Sequence, residues 1–148
     1  GDMVEALGEK RVAAYLPDFP HDDLLGVAGV TAFPHLGAST PESEDNCAKM
    51  AAKELMDYLE NGNITNSVNL PAASMARSGK TRVCVIHRNV PTMLSKISAA
   101  LESVNIENML NKSRKDFAYT MIDTDGDVTG DILQKLEGID GVIRIRVI

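Results

Sequence analysis

The chain has 148 residues, 44% apolar and 24% charged, with a formal net charge of -6. That suffices for one ordinary domain or two small ones, and the negative balance speaks against a general binder of phosphate backbones. With no Trp and only 4% aromatics, stacking platforms for single-stranded nucleic acid are scarce, and no apolar run approaches the ~20 residues of a membrane span.

The chain opens with "GDMVEALGEK", which reads as a short helix. "RVAAYLPDF" follows as a strand: Val12, Ala14 and Leu16 alternate with Ala13 and Tyr15, and so apolar a run suits burial on both faces. Pro17 and Pro20 end it, "HDDLLGVAG" turns, and "VTAF" is a second brief strand. The pattern resembles the edge of a parallel α/β sheet, yet it is too short to hold the other strands.

The clearest helix comes next. Thr40 can cap it, Pro41 suits the first helical position, and Glu42, Glu44 and Asp45 complement the helix dipole. Cys47, Met50, Ala51, Leu55, Tyr58 and Leu59 recur at helical spacing, and Asn61-Gly62 stops the helix. "NITNSVNLPAASMARSGK" reads as a connector, with Val68 and Leu70 in a short extended segment. The last third then runs strand "TRVCVIHR", helix "VPTMLSKISAALES", strands "VNIENMLNKS" and "FAYTMIDTD", helix "VTGDILQKLEGI" and strand "GVIRIRVI". This is the βαββαβ order of a ferredoxin-like sheet.

Cys47 and Cys84 stand alone, with no CxxC, so a reducing, cytoplasmic setting is expected, with both thiols buried as small apolar side chains. Asp123, Asp125 and Asp127 have the spacing of a calcium loop, but Val128 stands where Gly is needed and Gln134 where Glu is needed. A turn with solvated acids is the better reading. No phosphate-cradling glycine motif and no His/Cys ligand set is present, so no metal site is expected. "FPHLGAST" differs. His35 is suited to proton transfer, Gly37, Ala38 and Ser39 allow close approach of a ligand, and a helix N-terminus follows. "HRNVP" likewise places His87 and Asn89 where a strand gives way to a helix.

Together, "FPHLGASTPESEDN", "YLENGNITNSVNLP" and the βαββαβ module opening "HRNVP" resemble, in the same order, the C-terminal part of the phosphoglycerate dehydrogenases. These belong to the D-2-hydroxyacid dehydrogenases and carry a C-terminal ACT domain. The resemblance implies a fold of α/β plus α+β class. Residues 1–61 would be the remnant of a Rossmann-like NAD-binding domain with its long exit helix. Residues 62–77 would return to a substrate domain, and residues 78–148 would form a ferredoxin-like ACT regulatory domain. It also implies an enzyme that uses NAD to oxidise 3-phosphoglycerate toward L-serine. The glycine-rich fingerprint and the substrate arginine would lie outside this chain, which alone would be inactive.

Carried over by position, His35 matches the family's catalytic acid/base, and Asp18 the aspartate that contacts the nicotinamide amide. Leu36, Gly37 and Ala38 match the segment lining the cofactor. Asp23, or its neighbour Asp22, stands where the family uses a glutamate to raise the histidine's basicity. His87, Asn89 and Asn105 match positions that bind an L-serine effector between two ACT domains, which implies a homo-oligomer. Thr92 departs from the family's frequent glycine there, and the helix before Asn105 is shorter. Two other readings stay open: a regulatory amino-acid-binding or dimerisation module, and another D-2-hydroxyacid dehydrogenase with a fused ACT domain.

Overall fold

A computed structural model describes residues 1–37 and 39–148; Ala38, expected to line a cofactor, lies outside the described residues. The chain forms two compact units, residues 1–48 and 49–148. This division differs from the expected one at 61 and 77, for a reason given below.

In the first unit, α1 (Asp2–Gly8) carries Asp2 and Glu5 in its first turn and buries Leu7. The strand expected over 11–19 does not form as such. A single parallel bridge joins Tyr15 to Val30. It is extended by backbone bonds from Tyr15 N–H to the Gly29 carbonyl (2.9 Å), Thr31 N–H to the Tyr15 carbonyl (3.0 Å) and Phe33 N–H to the Pro17 carbonyl (3.2 Å). Two paired segments without further strands cannot cover both of their faces. Leu16, expected inside, is accordingly 63% exposed, and Phe19, Leu25 and Phe33 are exposed with it. The expected Rossmann-like sheet edge is therefore reduced here to one bridged pair.

Helix α2 (Pro41–Asn61) begins in the first unit and continues into the second. Thr40 caps it as its chemistry requires, its hydroxyl accepting from Ser43 N–H at 3.2 Å. The apolar stripe is present but uncovered: α2 has no buried residue, and Met50, Leu55 and Leu59 are each more than half exposed. Cys47, expected inside, is exposed for the same reason; Cys84 is buried, and both thiols are free.

The second unit is a small α+β domain. Its order is β1 (Thr81–Arg88), α3 (Met93–Ala100), β2 (Ile106–Arg114), β3 (Phe117–Thr124), α4 (Gly130–Glu137) and β4 (Val142–Val147). The four strands form one antiparallel sheet, β2-β3-β1-β4. The two inner strands are covered on both faces, which is why β1 reads as a nearly unbroken buried run. Val83, Val85 and Ile122 meet Ile97, Leu101, Ile132 and Leu136 of the helical layer. Each such side chain contributes roughly 1.5–3 kcal/mol when fully buried.

The opposite face explains the unit boundary. Residues 62–77 are not a free connector but a strap across the sheet. Ile64 and Ala73 exchange two backbone bonds (2.7 and 3.0 Å) and pack on Cys84, Tyr119 and Met121. Val68, in the segment expected to be extended, is 90% exposed. The strap begins at Gly62, whose φ of +73° only glycine adopts readily, and a Cβ there would lie 2.5 Å from Cys84 Sγ. The Tyr119 hydroxyl donates to the Gly62 carbonyl at 2.6 Å. Three arginines then donate to the last carbonyls of α2, of which that of Tyr58 also accepts from the Gly62 N–H at 3.0 Å. Arg146 donates to Tyr58 and Leu59 (3.0 Å each), Arg77 to Glu60 (3.4 Å) and Arg82 to Asn61 (2.8 Å). The Arg146 guanidinium also lies over the Tyr58 ring, 4.5 Å from its centroid.

Candidate functional site

In the first unit, the bridged segments carry Asp18 and His35 to adjacent positions. Asp18 follows Pro17 and His35 lies two residues beyond Phe33, and the Phe33–Pro17 backbone bond holds the two segments together. His35 Nδ1 and Asp18 Oδ2 are 2.6 Å apart, both side chains about half exposed. An ionised carboxylate only accepts, so Nδ1 carries the proton and Nε2 is left available. The hydrogen bond from His35 holds the Asp18 carboxyl below the usual carboxylate range, against a small opposing effect of desolvation. Phe19 stacks on the imidazole, with ring centroids 4.6 Å apart and planes at 29°. The site is an oriented imidazole backed by a carboxylate and an aromatic plate, open to solvent, an arrangement suited to moving a proton.

Asp23 is not brought to His35. Its side chain is exposed, and its carboxylate makes no hydrogen bond to the imidazole. The carboxylate that does reach His35 is Asp18, expected only as a cofactor contact. Seventeen residues separate the two, so their meeting depends on the bridge between segments rather than on local spacing. Leu36 is 58% exposed beside the histidine, and Gly37 sits in the turn that follows.

In the second unit, His87 is 2% exposed. Its Nδ1 lies 2.8 Å from the Arg88 carbonyl, and its Nε2 2.8 Å from Thr120 Oγ1. The Asn89 side chain donates to the Lys115 carbonyl at 3.0 Å, fastening the β2–β3 hairpin. Asn105 lies at the other end of the sheet, its backbone N–H donating to Asp125 at 3.0 Å. The register puts Arg88 opposite Phe117 and Ile106 opposite Thr124, so Asn105 does not meet His87 and Asn89 within one chain.

Thr92, beside that group, keeps a left-handed backbone (φ 69°) and makes no side-chain cap bond to α3. A β-branched residue in this region is strained. Thr92→Gly is expected to raise stability by about 1 kcal/mol, measured as a higher urea midpoint at unchanged m-value. A lower midpoint would show that the Thr92 side chain stabilises the loop.

The three aspartates of the rejected calcium loop have separate tasks. Asp123, expected in solvent, is 1% exposed and ion-paired with Arg82. Asp125 accepts from Asn105, and Asp127 pairs with Lys80. Among the described residues no group of His, Cys, Asp or Glu is placed to hold a metal ion, and no helix is long and apolar enough to cross a membrane. A cavity of about 330 Å³ opens between α2 and the strap, lined by Leu55, Tyr58, Ile64 and Leu70; none of the candidate site residues lines it.

Comparison with known proteins gives a consistent set of relatives. The chain is 36% identical to D-3-phosphoglycerate dehydrogenase of Escherichia coli K12 over an alignment of 162 positions, covering 99% of this chain and 39% of that protein. It is 31% identical to D-3-phosphoglycerate dehydrogenase 2 of Saccharomyces cerevisiae, covering 99% of this chain and 37% of that protein. The Haemophilus influenzae D-3-phosphoglycerate dehydrogenase is 32% identical over 78% of this chain and 29% of its own length. The chain thus spans about two fifths, at most 39%, of the length of these relatives. No protein-family model matches it. Among solved structures, the ACT domain from the GTP pyrophosphokinase of Chlorobium tepidum aligns with 46% of this chain and 95% of its own, at 15% identity and a TM-score of 0.36.

Proposed function

Since this chain corresponds over almost its whole length to the C-terminal part of D-3-phosphoglycerate dehydrogenases, we propose that its parent protein is a cytoplasmic, NAD-dependent enzyme. The reaction is oxidation of 3-phospho-D-glycerate to 3-phosphohydroxypyruvate, on the way to L-serine. The observation that carries this reading is the His35–Asp18 pair, formed within a chain so related. Asp18 holds Nδ1, so Nε2 takes the proton of the substrate hydroxyl as the C–H bond of the same carbon gives up hydride. NAD, when bound, supplies the hydride acceptor. A carboxylate at Asp18, an exposed apolar side chain at Leu36 and a turn at Gly37 fit the nicotinamide end of that cofactor. Nothing among the described residues forms a cradle for its phosphates, which the rest of the parent has to provide. The exposed row of Leu16, Phe19, Leu25 and Phe33 fits a first unit that belongs to a larger Rossmann-like domain.

The test is NADH formation by the full-length parent supplied with NAD and 3-phosphoglycerate, against other 2-hydroxy acids. Strong turnover of a different 2-hydroxy acid and none of 3-phosphoglycerate would replace the substrate. Turnover by the 148-residue chain alone would contradict the division of labour.

A second reading concerns the second unit, as an ACT-type module that binds L-serine between two copies. Its support is the βαββαβ sheet with His87 and Asn89 at one end of β1 and Asn105 at the far end of the edge strand β2, so that a complete site requires a second chain. Calorimetric titration of the chain with L-serine and other amino acids tests it. Silence with all of them would leave the module a structural one.

A further inference from the structure

The hydrogen bond to Asp18 fixes one atom of the His35 ring, Nδ1, at 2.6 Å. It does not fix the plane. An imidazole turns about two single bonds, so with Nδ1 anchored the ring can still tilt about the Nδ1–Oδ2 line and carry Nε2 with it. The backbone adds little restraint, since the nearest bond between the two segments lies two residues back, at Phe33. A reacting group misplaced by about 1 Å can cost about a hundredfold in rate, so the plane matters.

Phe19 supplies the second restraint. Pro17 and Pro20 flank Asp18 and Phe19, and each stiffens its own backbone and that of the residue before it. In a straight strand Asp18 and Phe19 would point to opposite faces. The chain bends at both residues instead, and the two side chains converge on one ring. The carboxylate meets its edge. The Phe19 ring lies against its face, with 4.6 Å between centroids and 29° between planes. Phe19 is otherwise 74% exposed and belongs to neither hydrophobic core. As Nε2 takes the proton, the imidazole becomes an imidazolium, and an aromatic face within about 6 Å attracts a cation. The contact is thus tighter in the transition state than before it, which is the condition for acting on kcat.

We propose that Phe19 is a positioning residue for the dehydrogenase reaction. Its ring sets the plane of the His35 imidazole, Asp18 sets the tautomer, and together they aim Nε2 at the substrate hydroxyl. This role rests on the proposed function above. Phe19 acts through His35 and touches neither substrate nor cofactor.

Two variants separate the aromatic plate from mere bulk. Phe19→Leu keeps an apolar side chain for the rest of the parent to cover but has no flat face, and Phe19→Tyr keeps the face. They are compared in the full-length parent supplied with NAD and 3-phosphoglycerate, or the 2-hydroxy acid it turns over instead. Phe19→Leu should lower kcat about three- to tenfold with KM unchanged, the scale of one aromatic pair, and Phe19→Tyr should restore most of it. A Leu variant at the unmodified kcat, a Tyr variant as impaired as the Leu one, or a change confined to KM overturns the proposal. Proton spectra of the 148-residue chain read the plate without cofactor or turnover. The His35 ring protons should show nuclear Overhauser contacts to the Phe19 ring and an upfield ring-current shift. Phe19→Tyr should keep both, and Phe19→Leu should lose the shift. Absence of both from the unmodified chain overturns the plate. If the parent oxidises no 2-hydroxy acid, the proposed function and the positioning role fall together, while the spectra still decide whether Phe19 holds the ring.

Discussion

Replacing Arg82 with Ala should unfold much of the second unit's stability margin, by roughly 3–5 kcal/mol in urea denaturation. Arg82 is fully buried and spends all five of its N–H donors. Nε and Nη2 hold the two Asp123 oxygens (2.6 and 2.7 Å), Nη1 reaches the carbonyls of Asn61 and Met75 (2.8 Å each), and Nη2 also reaches Ala76 (3.0 Å). The alanine variant strands a buried carboxylate and loosens both the end of α2 and the strap. Arg82→Lys should recover only a small part, because an ammonium cannot match a planar fork. A loss below about 1 kcal/mol for Arg82→Ala would show that the pair is not what holds the strap.

The same pair sets an acid limit. Burial pushes the Asp123 carboxyl up, but the Arg82 hydrogen bonds and the Ser78 backbone N–H and hydroxyl outweigh it, and the net shift is downward. A carboxylate whose folded-state pKa is depressed stabilises the fold fully above its unfolded value, near 3.9, and loses that contribution as pH falls through the folded value. Asp123 should therefore add no pH dependence to the urea midpoint near neutral pH, and its contribution should fade below about pH 4. Asp123→Asn should flatten that drop while lowering stability at pH 7.

In the full-length parent, His35→Ala should cut kcat by about 10²–10⁴-fold, the usual range for a positioned acid/base. Asp18→Asn should act through the ring: it keeps the contact but no longer requires a proton on Nδ1. A smaller loss in kcat is expected, together with a displaced pH–rate profile. A His35→Ala enzyme near the unmodified rate would make the histidine structural. Equal losses in both variants with identical pH profiles would mean that Asp18 contributes only to folding.

Local pattern alone carried much of this molecule. The βαββαβ order, the Thr40 cap with Pro41 after it and the glycine stop at 62 follow from period, capping chemistry and backbone freedom, all written within a few residues. His35 was legible as a candidate, in part from its flanking small residues and following helix, which are local too, and more from the family resemblance. Other features depend on groups far apart in sequence. Asp18, rather than Asp23, meets His35 because two short segments bridge at Tyr15 and Val30. The apolar run at Val12–Leu16 read as buried because its period says only that a strand could be covered, not that neighbours exist to cover it. The polar-looking stretch 62–77 read as a linker, yet Arg82 of β1 takes its Met75 and Ala76 carbonyls, and Arg82, Arg146 of β4 and the stretch's own Arg77 take those of α2, which turns it into part of a core. The sequence by itself determined which elements of the second unit form and, together with the Thr40 cap and the Gly62 stop, the span of α2, since those depend on neighbouring backbone. Only the tertiary structure decided which charges pair and which face is dry, because burial and ion pairing are properties of surroundings assembled from the whole chain.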